Sequence, residues 1–275
     1  MNHHFTVDVE EYFQVSAFES RVSRHRWDKY DSRVALSVAR LLDLLSTHGA
    51  RGTFFILGWI AERHPELVRE IAASGHEVAS HGWAHRRVTD LSQAGFREAV
   101  KRTKRLLEEL TGTPVRGYRA PSFSILPGLE WALDILIEEG YQYDSSLFPV
   151  WHPGYGYPNG KRDPHWLDRP VGRLAEIPPT TLKVGRLTVP AAGGAYFRWF
   201  PYSLARAAVK DCERRQVPAT FYIHPWEIDP DQPRLKVSLL TRLRHYGGLH
   251  RTFGRLHRLL DEFSFRPIAE TVESL

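Results

Sequence analysis

The sequence predicts an α/β fold assembled from βα units around a parallel sheet. Three observations carry that expectation. Short apolar runs of four to six residues alternate with longer stretches whose apolar residues recur at helical spacing. Glycines follow the helical stretches as stops, at Gly49, Gly75, Gly112 and Gly140. The residues able to do chemistry fall at the ends of the short runs, and strand ends of a parallel sheet gather on one face.

Phe5–Glu10 reads as a buried strand ending in acid, with Asp8 and Glu10 two apart and so on one face. Residues 12–32 are aromatic and polar without a period, and read as a long loop. Val34, Val38, Leu41, Leu42 and Leu45 predict a helix over 33–48. Thr53–Leu57 is the second strand, 59–74 a second helix, and His76–Ser80 a third strand. An amphipathic helix follows at 92–110, then strand Val115–Arg119, helix 129–139 and strand Tyr141–Asp144. From 147 to 171 Pro, Gly, Trp, Tyr and His dominate. A loop of that length in a compact domain is usually functional, and its aromatics suit a sugar-stacking surface. Leu174–Pro178 and Leu187–Pro190 read as short strands, 202–215 as a helix, and Ala219–His224 as a strongly apolar strand followed by a turn. The tail, 235–263, carries two helical stretches broken at Gly247-Gly248.

With 42% hydrophobic and 25% charged residues in 275, the chain has ample material for a core and an ordinary soluble composition. One domain over 1–275 is expected, with 235–275 as a helical extension packed on it. The net charge of +5 is scattered except in 234–258, which points weakly to an anionic partner and gives no sign of sequence-specific nucleic-acid binding. The lone cysteine, Cys212, excludes an intrachain disulfide and reads as a buried structural thiol in its helix. No apolar run approaches 18 residues, and the amino terminus lacks a basic region followed by an apolar one. The expected setting is therefore cytoplasmic, with peripheral inner-membrane association left open. Oligomeric state is not readable.

The stretch Ser80-His81-Gly82-Trp83-Ala84-His85 places two imidazoles four positions apart. If it opens a helical turn, the two share a face, about 5–6 Å apart at Cβ, close enough to hold one metal ion. Asp8 and Glu10, Arg119, Asp144 and His224 end or follow other strands. Two imidazoles and one carboxylate leave a metal position open for water. A second carboxylate can take a proton from that water, a distant histidine can give one to a leaving group, and an arginine can keep the base ionised. That is equipment for metal-assisted hydrolysis of an amide or ester.

Several segments carry a family likeness. They are Thr6-Val7-Asp8-Val9-Glu10-Glu11-Tyr12-Phe13, the histidine stretch, Tyr118-Arg119-Ala120-Pro121-Ser122-Phe123-Ser124, Tyr143-Asp144-Ser145-Ser146-Leu147-Phe148-Pro149, Gly193-Gly194-Ala195-Tyr196-Phe197-Arg198 and Ile223-His224-Pro225-Trp226-Glu227. The chain resembles the NodB-homology polysaccharide deacetylases of carbohydrate esterase family four. More narrowly, it resembles the branch found with exosortase/PEP-CTERM exopolysaccharide loci, whose C-terminal extension the tail is similar to.

The resemblance implies a distorted (β/α) barrel with fewer than eight regular strands, about seven. It implies a divalent metal, most often zinc, acting with water on an N-acetyl group. By position it makes Asp8 the general base, His81 and His85 metal ligands, Arg119 the tether of the base and His224 the general acid. The backbone N–H near Ser122 would serve the oxyanion, and Asp144 would support Arg119 or the acid. The family pattern has two adjacent aspartates, whereas Val9 stands in the second place here. Glu10, on the same face as Asp8, is the expected third ligand; were it to point away, Asp8 would have to ligate. The substrate implied is an N-acetylated glycan or a lipid-linked saccharide of exopolysaccharide synthesis. The alternatives are a metal-independent small-amide hydrolase of the allantoinase-like type and an inactive carbohydrate-binding module.

Overall fold

The computed structural model describes residues 1–275. Its strands are β1 (Asn2–Val9), β2 (Thr53–Ile56), β3 (Glu77–Ser80), β4 (Gly117–Tyr118), β5 (Tyr143–Asp144), β6 (His165–Arg169), β7 (Gly172–Glu176), β8 (Thr181–Val184), β9 (Leu187–Pro190), β10 (Thr220–Ile223) and β11 (Ser264–Arg266). The main sheet runs β10-β1-β2-β3-β4-β5-β7-β6. The seven strands from β10 to β7 are parallel, and β6 lies antiparallel on the edge. The architecture is thus a distorted (β/α) barrel of seven parallel strands, as expected. Its ladder stays open between β7 and β10. Single backbone bonds cross that seam, from Thr180 N–H to Thr220 O at 3.0 Å and from Tyr222 N–H to Ala192 O at 3.2 Å.

Strand periodicity divides the interior in two. Phe5, Val7, Val9, Phe54, Ile56, Val78, Phe221 and Ile223 point outward into the main core beneath the helices. Inside the barrel, Phe55, Ala79, Tyr143, Ala175 and Ile177 form a second apolar cluster. Thr6 and Asp8 alternate with the outward residues of β1 and are buried too. Gly117 makes room for this inner layer, because a Cβ there would meet the Tyr143 ring at 2.0 Å.

The structure corrects several expectations. The helix expected over 59–74 is two, Gly58–Arg63 and Pro65–Ala73, since His64 leaves helical geometry and Pro65 opens the second. The span 147–171 is not all loop, because its end forms β6, a hairpin with β7. A second hairpin pairs the expected strand β9 with β8, whose mixed polarity hid it. The tail does break into helices Leu239–Tyr246 and Leu249–Glu262, with Gly248 at φ 79°. It is not purely helical, however, because β11 follows and pairs with β1. Cys212 is buried in helix Tyr202–Arg214.

Candidate active site

The carboxyl ends of the parallel strands open into one cavity of about 410 Å³, lined by Asp8, Glu10, His81, His85, Ser122 and His224 among others. The histidine pair does not sit on a helix. After β3 the chain turns through Gly82 at φ 74° and His85 at φ 48°, both left-handed, a conformation glycine adopts freely and other residues seldom do. That turn, rather than an i,i+4 face, brings the two rings together, with centroids 5.7 Å apart.

Glu10 points inward with them. One ligand atom from each of Glu10, His81 and His85 lies within 4.8 Å of the others, and all three residues are buried. The donor set fits a cation. The His81 Nδ1–H donates to the Arg119 carbonyl at 2.9 Å, which leaves Nε2 as a free lone pair. Burial first, and the neighbouring His85, push His81 down to about 4, so the ring is neutral near neutral pH. Glu10 Oε2 lies 2.7 Å from His85 Nε2, yet the approach is not oriented as a hydrogen bond. Glu10 Oε2 and His85 Nδ1 are both buried polar atoms without a hydrogen-bond partner. Burial alone would raise the Glu10 carboxyl, but the imidazoles of His85, His224 and His81 facing it outweigh burial and hold Glu10 at about 2. The Trp226 indole N–H fixes the other oxygen, Oε1, at 3.0 Å.

Asp8 stands two residues away on the same strand face. Arg119, fully buried, gives it a hydrogen bond from Nη1 to Oδ1 at 2.7 Å. The rest of the guanidinium is fixed by Thr6 Oγ1 at 2.7 Å, the Ser145 carbonyl at 3.2 Å and Ser145 Oγ at 2.8 Å. It also packs 4.1 Å from the Phe55 ring centre. His224, just past β10, places Nε2 3.9 Å from Asp8 and 3.7 Å from Glu10. Its Nδ1–H donates to Glu227 at 2.5 Å. Burial acts to lower His224, but the charges of Glu10, Glu227 and Asp8 win and raise it to about 9.

One expected residue sits differently. Asp144 supports neither Arg119 nor His224 directly. Its carboxylate accepts from the Ser146 N–H at 3.0 Å and the Ser146 hydroxyl at 2.6 Å. It also faces Glu176, and burial raises both acids, Glu176 strongly. Ser122 borders the cavity with φ 57°, and its hydroxyl meets Ser16 Oγ at 2.5 Å. The sequence reading gave no role to Ser145, Trp226, Glu227 or Arg198. All four lie inside the quoted motif segments, which was the available signal.

The fold and this cluster of strand-end side chains define an α/β protein with a buried group of two imidazoles and a carboxylate at the carboxyl ends of its parallel strands. Residues 27–136 match the polysaccharide deacetylase family model, and residues 145–273 match a domain of unknown function (DUF3473). The first segment supplies β2, β3, His81, His85 and Arg119. His224, Glu227 and Arg198 fall in the second, and Asp8 and Glu10 precede both.

Among curated relatives, the chain is 32% identical over 96 residues to a peptidoglycan-N-acetylglucosamine deacetylase of Bacillus cereus, covering 34% of this chain and 35% of that protein. It is 29% identical over 114 residues to a peptidoglycan deacetylase of Helicobacter pylori, covering 41% and 37%. It is 39% identical over 64 residues to a chitooligosaccharide deacetylase of Rhizobium leguminosarum bv. trifolii, covering 23% and 30%. The match thus spans about a third of each relative's length. Of solved structures, one from Mycobacterium smegmatis, provisionally named a polysaccharide deacetylase, has TM-score 0.66 at 22% identity over 98% of this chain and 88% of that one. Puue allantoinase has TM-score 0.64 at 18% identity, over 98% and 88%. A pseudoenzyme of the CE4 family from Bacillus anthracis has TM-score 0.51 at 14% identity, over 98% and 64%. These likenesses establish the fold, which serves more than one chemistry.

Proposed function

We propose that the protein is a metal-dependent carbohydrate N-deacetylase. The observation that carries the reading is the position of His224. Its Nε2 lies within 4 Å of both Asp8 and Glu10, so an acid and a base flank the Glu10, His81 and His85 group in one cavity.

Glu10, His81 and His85 would hold a divalent ion. Two imidazoles and one carboxylate with an open position suit zinc. When bound, the ion supplies Lewis-acid polarisation of the acetamide carbonyl and of the attacking water. Asp8, held and oriented by Arg119, takes the proton from that water. The backbone N–H of Ser122, a residue of the cavity wall, would serve the carbonyl oxygen as it gains charge. His224, protonated near neutral pH, gives a proton to the departing amine nitrogen, so an N-acetyl sugar and water become an amino sugar and acetate. Asp144 serves at one remove, by ordering the chain beside Ser145, which in turn holds Arg119.

The substrate we propose is an N-acetylated glycan or its lipid-linked precursor, in exopolysaccharide synthesis and on the cytoplasmic side. The relatives' names support the sugar. The aromatic wall of the cavity, including Tyr155, Tyr196, Tyr222 and Trp226, supports a stacked ring. The DUF3473 segment is consistent with the narrower branch likeness. A metal-free small-amide hydrolase would have no use for the inward Glu10 beside two buried imidazoles, and an inactive module no use for the Asp8–Arg119 pair.

The test is acetate release from N-acetylglucosamine oligomers and from peptidoglycan by the zinc-loaded protein. Release that disappears in Asp8→Asn supports the reading. Release that survives both Asp8→Asn and chelation, or no release by an intact zinc-loaded protein from any N-acetylated glycan, overturns it.

A further inference from the structure

Twelve large apolar side chains are exposed, and six of them lie in the three segments that supply His152, Arg198 and Arg244 to the cavity wall. Trp151 is 80% exposed, Leu240 76% and Leu239 71%, with Leu243, Trp199 and Phe200 also exposed. Each group is joined to the cavity wall, since His152, Arg198 and Arg244 line it. The elements are also tied to one another. Arg198 donates to the carbonyls of His245 at 2.8 Å and Gly247 at 2.7 Å, and Gly247 abuts the Trp199 ring.

The charge around this patch has one sign. From Gln232 to Leu260 the chain has seven Lys and Arg residues and no Asp or Glu. Elsewhere arginines commonly meet carboxylates, as Arg206 meets Glu262 and Arg169 meets Asp134, and within the run Arg258 also reaches Glu262. Arg234, Lys236, Arg242, Arg244 and Arg251 meet none; Arg234 bonds a carbonyl and Arg251 a neighbouring histidine. No helix is long and apolar enough to cross a membrane.

We infer that this rim docks on an anionic lipid surface, with Leu239, Leu240, Leu243 and Trp199 entering the interface and the free cations meeting lipid headgroups. Exposed leucines beside unpaired cations are the composition of an interfacial helix. An acidic glycan would account for the arginines but leave the leucines unexplained. A second copy would set one basic run against another. The docking surface stands without the deacetylation reading. Its consequence, that the glycan reaches the cavity on a lipid carrier, rests on that reading.

The experiment is sedimentation of the full chain with phosphatidylcholine–phosphatidylglycerol vesicles and with pure phosphatidylcholine vesicles. Binding to the anionic vesicles, weakened by salt and reduced roughly tenfold or more in Leu239→Asp/Leu240→Asp, is expected. Both leucines are exposed, so the variant should keep its melting temperature and its acetate release from soluble oligomers. A folded wild-type chain that ignores anionic vesicles overturns the proposal. So does a variant that binds them undiminished, a variant that instead loses self-association, or capture by a soluble polyuronate unaffected by the leucine changes. If docking holds while soluble oligomers are never cleaved, the deacetylation reading fails and the surface does not.

Discussion

Glu227 accepts the Nδ1–H of His224 at 2.5 Å and, through its other oxygen, the Nε–H of Arg198 at 2.6 Å. Burial works against ionised Glu227, but Arg198 and then His224 hold it below its ordinary range. Arg198 is anchored by the Arg244, His245 and Gly247 carbonyls, so the tail is wired to the proposed acid. Glu227→Gln is expected to lower kcat about 10- to 100-fold with KM little changed, because the imidazole loses its orientation and part of its protonation. It should also lower stability, since Arg198 stays buried without its counter-charge. Steady-state kinetics and a melting curve read both effects; unchanged kcat with a lowered melting temperature would leave Glu227 a purely structural role.

Metal binding is expected at about one zinc per chain and lost in His81→Ala/His85→Ala. Saturating zinc at about 100 times Kd should add about 2.7 kcal/mol of stability to the wild type and none to the double variant. Titration calorimetry and melting with and without a chelator check this. Equal stabilisation of both proteins would move the metal elsewhere.

Arg119→Ala should cost about 3–5 kcal/mol, because it leaves the Asp8 carboxylate buried and unpaired. Asp8→Asn keeps the shape of the pair and is expected to retain zinc while lowering kcat about 10²- to 10⁴-fold. Denaturant unfolding and metal analysis separate the two variants. Loss of zinc in Asp8→Asn would make Asp8 a ligand.

Stability should fall on the acid side through two histidines remote from the cavity. Burial pushes His4 down to about 3, between Thr220 and Thr271, and His76 down to about 4, where it accepts the Gly52 N–H. In the unfolded chain both take a proton near 6.5. The unfolded state therefore binds more protons between 6.5 and those lowered values. Stability is full above 6.5, falls as pH drops toward 4 and 3, and levels below. Between about pH 7 and pH 5 the loss is roughly 2 kcal/mol for each histidine. Urea midpoints across that range, with His4→Gln/His76→Gln as the flattened comparison, check it.

What the sequence determined by itself was set by local rules. Alternating apolar strands and helical stretches closed by glycine gave the βα order, and a two-residue step put Asp8 and Glu10 on one face. The motif residues were all legible, and the inward direction of Glu10 followed from that step. Other features depended on contacts made far along the chain. The histidine pair is joined by two left-handed residues, which spacing does not encode. Asp144 could not be assigned because Ser145, not Asp144, faces Arg119. β6 and β8 have little apolar periodicity and are strands only because a partner pairs with them. Glu227 and Arg198 acquire meaning only when helix Gly194–Trp199, the turn after β10 and the tail converge. Periodicity records how a residue relates to its neighbours in sequence. The site instead depends on which strand ends and loops the curved sheet brings within hydrogen-bond distance, and that is decided by packing.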